Sequence, residues 1–339
     1  MHRAKTYCLI GLCAIATVLG GCERRQHLVQ QHLLEFGTII EITMISTDLV
    51  QAEGLLQEIE QRLRQQRGQW HAWEDSDLSR FNQQLQQHST AEIPPSLARL
   101  LVLSRRYQDA TGGLFNPAMG KLISAYGFHD GTIDAQAVAE IRLDIPDMHD
   151  LTIDGNTATS TNPNLQIDLG GIAKGYAIGL ISDFLDARGI RDYVINAGGD
   201  LVVAGNRFGR PWRIGIQNPF APGVVASIQL EGKHSLFTSG NYARRYFLGD
   251  DLQHHIIDPR SGKSARGQSS ATVLGTDPVR ADVAATALMI DGASQPRELS
   301  HSLEIEDFLI ISESREILIS RSFAQKVDIL SRWPVTIID

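Results

Sequence analysis

The 339-residue chain reads as an α+β protein with a largely antiparallel sheet and helices packed on it. Short runs of alternating apolar residues recur, most densely in the second half of the chain. Longer stretches with helical spacing stop at glycines, and no internal repeat interrupts the mixture. No linker is long enough to split the body. Residues 34–339 are therefore read as one domain, or as two tightly interwoven lobes.

In chain order, His2, Arg3 and Lys5 precede an uncharged, apolar or small run over residues 6–21. This is the layout of a secretory signal, and the run is shorter than the roughly 20 residues that span a membrane. It ends in Leu19-Gly20-Gly21-Cys22, which resembles a lipoprotein processing box. The resemblance implies a signal peptide over 1–21, acylation (palmitate included) of Cys22, and a polar Gln/His-rich tether over 22–33. The bland alternative is an ordinary signal with a chance cysteine. The three cysteines are Cys8, Cys13 and Cys22, so the exported body forms no internal disulfide and depends on its core. Loss of Arg3 and Lys5 with the signal takes the formal charge from −8 to −10. A nucleic-acid binder needs the opposite sign.

The fold is expected to start near Leu34. Alternation over 37–44 predicts a strand, and residues 49–66 a helix ending at Gly68. Helices over 95–110 and 171–188 stop at Gly112-Gly113 and Gly189, the usual terminators. Strands follow over 192–196, 201–204, 212–217, 224–230, 234–238 and 244–247. A helix over 281–290 and a hairpin of 308–311 with 317–320 close the chain.

Four clusters are candidates for chemistry. Thr111-Gly112-Gly113-Leu114-Phe115-Asn116-Pro117 lets backbone amides approach a ligand, although taken alone a helix cap and a turn are the commoner explanation. In Gln166 to Tyr176, a strand is expected to run into Gly170-Gly171 and open a helix. That geometry presents N–H groups to a phosphate, and Lys174 adds charge; tight strand–helix packing is the alternative. His254-His255-Ile256-Ile257-Asp258-Pro259, which follows Thr238-Ser239-Gly240-Asn241-Tyr242, can bring an imidazole and a carboxylate to a cleft, or form only a surface turn. Asp282 and Thr286 share a helix face and are hard oxygen donors of the kind magnesium takes; a capping Asp and a Thr bonded to its own helix are the alternative.

Together and in this order, the clusters resemble the FAD:protein FMN transferase (ApbE) family over about residues 36–288. Ser76 to Asn82 and Asn196-Ala197-Gly198-Gly199-Asp200 add to the likeness. The resemblance implies an ApbE-like fold. It also implies a flavin site lined by Phe36, an aromatic at or near Trp73 and Leu114-Phe115-Asn116, with Asp168, Lys174 and Ile257 touching FAD. A magnesium ion is implied on the Gly171 carbonyl, Asp282 and Thr286. The family often has Asp where this chain has Asn116, Asn241 and Gly179, and Thr where it has Ser261.

The expected activity is Mg-dependent transfer of FMN from FAD to a threonine hydroxyl of a target protein, with release of AMP and His255 as candidate base. The implied acceptors are subunits of ion-pumping, membrane-bound oxidoreductases. The expected location is the bacterial envelope, lipid-anchored and facing the periplasm, with the inner membrane favoured. An FAD pyrophosphatase giving FMN and AMP and a non-catalytic flavin-binding lipoprotein are the alternatives.

Overall fold

The computed structural model describes residues 25–242, 245–248 and 251–339; the signal-like run and Cys22 lie outside the described residues. Among the described residues, nine strands form the main sheet. Their order is His27–Glu35, Thr38–Ser46, Tyr193–Ala197, Asp200–Ala204, His234–Gly240, Gln268–Gly275, Asp307–Ser312, Ile317–Ser320 and Val335–Ile338. Each neighbouring pair is antiparallel except the last, which is parallel. The α+β expectation with a largely antiparallel sheet holds.

Both faces of this sheet are covered, and side-chain alternation decides which core each residue joins. Val202, Phe237, Val273 and Ile310 enter the core shared with the helices. Their neighbours Leu201, Val203, Leu236, Leu274, Leu309 and Ile311 enter a second core. That core lies against a three-stranded sheet of Trp212–Gln217, Val224–Leu230 and Val327–Ile329. Double coverage is why the strand Asp307–Ser312 carries an unbroken apolar run over residues 308–311. A third, smaller apolar cluster joins Met119, Leu122, Tyr126, Val138 and Ile141 to Ile257. Among the described residues no helix is long and apolar enough to cross a membrane.

Four expectations are corrected. The stretch read as a tether is a strand from His27, paired with Thr38–Ser46 in register from His27↔Ser46 to Glu35↔Thr38. Its Gln and His residues look like a linker because an edge strand keeps one face in water. The helix Leu49–Trp70 passes through Gly68 instead of ending there. Gly68 costs the helix about 1 kcal/mol. Burying Trp70, whose indole N–H donates to the Ser96 carbonyl at 3.0 Å, offsets that by about 2 kcal/mol or more. Residues 166–168 form no strand; one parallel bridge, Met119↔Gln166, is all the pairing that segment makes. The following helix starts at Ala173 and not at Gly171.

Candidate functional site

Two of the clusters meet in the backbone. Asp168 N–H donates to the Pro117 carbonyl at 2.8 Å, and Gln166 N–H to Ala118 at 3.1 Å. Asn82 clamps the same segment: its amide donates to the Ile167 carbonyl and accepts from the Ile167 N–H, both at 2.8 Å. Asn82 is 3% exposed and stands on the helix Asp77–His88, which Ser76 caps. This gives the Ser76–Asn82 resemblance a physical role. It holds the extended approach to Asp168, whose carboxylate accepts from Gly170 N–H at 2.7 Å and sets the turn into the next helix. Leu114 and Phe115 are 3% and 4% exposed, so their side chains support this turn from within the core. A methyl at Gly171 would meet the Phe115 ring at 3.2 Å.

The helix Ala173–Ala187 then crosses Pro278–Asp291 at close range. Gly175 and Gly179 are four apart and share one face of this helix, a pattern the sequence carries without announcing its partner. A methyl at Gly175 would lie 2.9 Å from Asp282 Cβ and 3.0 Å from the Pro278 carbonyl carbon; one at Gly179 would lie 2.9 Å from Pro278 Cγ. The close approach lets Gly175 N–H donate to Asp282 Oδ2 at 2.8 Å. Asp282 is 3% exposed. Burial pushes its carboxyl above the usual carboxylate range, and the Lys174 ammonium and the Gly175 amide pull it back.

Lys174 forms an ion pair with Asp200, which is 2% exposed and whose other oxygen accepts from Thr238 N–H at 3.0 Å. Asp200 therefore ties the Asn196–Asp200 turn to the lysine, a link that no spacing in the sequence reveals. Thr286 Oγ1 donates to the Asp282 carbonyl at 3.2 Å and lies 3.1 Å from Ser239 Oγ. A methyl at Gly171 would be 3.6 Å from Thr286 Oγ1, so Gly171, Asp282 and Thr286 occupy one corner.

The aromatic beside Phe36 is Trp70 rather than Trp73. Phe36, held at φ 53° in a two-residue hairpin turn with Gly37 at φ 69°, has its ring centroid 6.5 Å from that of Trp70. Trp70 in turn lies 5.5 Å from Tyr176, in the first turn of Ala173–Ala187. Trp73 stacks instead on His129 at 4.4 Å. Ile257 is 3% exposed within the third cluster. His255 is half-buried at the bend after the strand Asp251–His254. Asp258, read as its possible partner, is engaged by Arg260 at 2.8–2.9 Å, and Arg260 also binds Asp291 at the end of Pro278–Asp291. That carboxylate fastens the loop to the helix.

The oxygens that face the corner are a buried carboxylate, the Thr286 hydroxyl and backbone carbonyl, and they suit a hard cation such as magnesium. Among the described residues no group of three or more His, Cys, Asp or Glu is placed to hold a metal ion, so a cation here takes one protein charge and several neutral oxygens. The departures from the family pattern fit their surroundings. Asn116 donates to the Pro146 carbonyl at 2.9 Å while accepting from Ala118 N–H at 3.0 Å, a pairing that needs an amide. Asn241 likewise donates to the Gln268 carbonyl at 3.2 Å, and Ser261 keeps a hydroxyl that accepts from Lys263 N–H at 3.3 Å.

A relative from Rhodobacter capsulatus named FAD:protein FMN transferase is 35% identical over 92% of this chain; the chain spans 61% of that protein's length. A Vibrio cholerae protein of the same name is 32% identical, with 88% of this chain and 93% of the relative covered. The crystal structure of the ApbE protein from Thermotoga maritima superposes with a TM-score of 0.79 at 25% identity, over 88% of this chain and 99% of that one. The Vibrio cholerae flavin transferase ApbE does so with a TM-score of 0.73 at 28% identity, over 89% and 100%. The sequence profile of the ApbE family matches residues 36–309, and with these likenesses the chain belongs to the ApbE family.

Proposed function

We propose that the chain is an FAD:protein FMN transferase that moves FMN from FAD to a threonine hydroxyl of an acceptor protein and releases AMP. The observation that carries this reading is the corner where Gly171, Lys174 and Gly175 meet Asp282 and Thr286, in a chain similar to proteins named for that activity. The acceptor oxygen forms a bond to the flavin-side phosphorus. The bond from that phosphorus to the bridging oxygen breaks, and its electron pair leaves with AMP. The hydroxyl proton passes to His255, the candidate base.

Lys174 brings positive charge to the pyrophosphate, and its pairing with buried Asp200 fixes where that charge sits. The Gly170-Gly171 turn and the first turn of Ala173–Ala187 add backbone dipoles. Asp282, Thr286 and the Gly171 carbonyl would hold a magnesium ion, which when bound neutralises the pyrophosphate and the departing AMP. Phe36 and the neighbouring aromatics offer the flavin ring a stacking surface.

Acylated Cys22 would anchor the mature chain to the inner membrane, facing the periplasm, with subunits of ion-pumping membrane oxidoreductases as acceptors. The test is incubation of the mature chain with FAD, magnesium and a flavin-acceptor protein, read by mass. An acceptor heavier by one FMN, with equimolar AMP, is the expected result. FMN and AMP without a labelled acceptor would make the chain a pyrophosphatase, and unchanged bound FAD would make it a flavin carrier.

A further inference from the structure

Ser239 lies in a polar run that the sequence marks out without a role. Its strand, His234–Gly240, packs on Pro278–Asp291, and its hydroxyl reaches Thr286 at 3.1 Å. The direction of that bond follows from proton counting. Thr286 has one hydroxyl hydrogen; when the Asp282 carbonyl at 3.2 Å takes it, the oxygen can only accept from Ser239. Ser239 is then the donor. The chain Ser239 to Thr286 to the Asp282 carbonyl fixes the Thr286 rotamer and leaves that hydroxyl one lone pair for a ligand. The strand itself is held in place independently: Thr238 N–H donates to Asp200, and Thr238 Oγ1 pairs with Thr272 Oγ1 at 2.9 Å.

We propose that Ser239 is a positioning residue for divalent-cation binding, acting through Thr286 by fixing the direction of that hydroxyl's free lone pair. The proposal rests on the metal reading of the corner given above. Removing a group that orients a metal ligand typically weakens affinity by roughly 10–100-fold.

The test uses the mature chain with FAD and Mn2+ as the probe, titrated by the EPR signal of free Mn2+. Ser239→Ala should bind Mn2+ roughly 10–100-fold more weakly, with its melting temperature and metal-free FAD affinity at wild-type values. Ser239→Cys keeps the size of the side chain but is a poor donor, and should show the same loss. The double variant with Thr286→Val should bind no more weakly than Thr286→Val alone. Wild-type Mn2+ affinity in Ser239→Ala or Ser239→Cys overturns the proposal, as does a double variant whose losses multiply, since Ser239 would then act independently of Thr286. A wild-type chain that binds no Mn2+ removes the metal reading and this proposal together, whereas equal binding by wild type and Ser239→Ala removes only this one.

Discussion

Gly175→Ala adds one methyl where two helices touch, and the structure gives the size of the conflict. The new carbon would press hardest on the Pro278 carbonyl oxygen and sit 2.9 Å from Asp282 Cβ and 3.0 Å from the Pro278 carbonyl carbon, against an ordinary carbon–carbon separation of about 3.5 Å. Relief requires the helices to part by at least about 0.6 Å, which stretches the 2.8 Å bond from Gly175 N–H to Asp282 to or past the outer limit of a hydrogen bond. Overpacking costs about 1–3 kcal/mol and the weakened bond to a buried carboxylate up to about 1.5–3; better helix propensity returns about 1. The net is a loss of about 1.5–5 kcal/mol, or on the order of 2–8 °C in Tm for a body of this size, together with loss of FMN transfer. Gly54→Ala is the internal control. Gly54 is also inside a helix, but a methyl there meets nothing within 4 Å, so stability should rise by about 0.5–1 kcal/mol with activity intact. Paired thermal melts and transfer assays separate the cases, and a Gly175→Ala protein that melts at or above wild type and still transfers FMN would refute the helix-crossing argument.

Three further outcomes are expected. His255→Ala should bind FAD within a few-fold of wild type while single-turnover transfer falls about 10²–10⁴-fold; affinity, stability and rate falling together would mark a structural histidine. Cys22→Ser should release the protein from membranes and abolish palmitate labelling, and equal labelling of wild type and variant would sink the anchor. His254 is fully buried, its Nε2 lies 2.7 Å from the Ala265 carbonyl and its Nδ1 has no partner, so burial pushes its pKa below the ordinary value near 6.5. The unfolded chain therefore binds the proton first. Stability should fall as pH drops below about 6.5, by up to about 1.4 kcal/mol per pH unit, until the folded imidazole also protonates. Denaturation midpoints between pH 7.5 and 5 should be flatter for His254→Gln, and parallel curves would contradict this.

The sequence alone determined whatever depends on neighbours along the chain. Alternation placed the strands Trp212–Gln217 and Val224–Leu230 at their observed bounds, and helical spacing with a glycine stop did so for Pro95–Ala110. These features are local because a strand's period and a helix's end are set by adjacent residues. Motif order was likewise enough to point to the family. The strand Gln268–Gly275 was missed because its Gln, Ser and Thr residues look exposed, although seven of its eight positions are buried between the neighbouring strands and two packed faces. The strand His27–Glu35 was missed because its hydrogen bonds come from a partner, not from its own composition.

Only the tertiary structure decided the site. Gly175 and Asp282 are 107 residues apart, and Asn82 and Ile167 are 85 apart. No periodicity reports such a distance. Trp70, and not Trp73, lies beside Phe36 because the helix continues past Gly68 and buries it. Asp200 and Ser239 acquired partners because the strand Asp200–Ala204 packs on both helices and His234–Gly240 on Pro278–Asp291. Residue types announced which groups were available for chemistry. Helix crossing and sheet order, which depend on complementarity between distant surfaces, settled which of those groups touch.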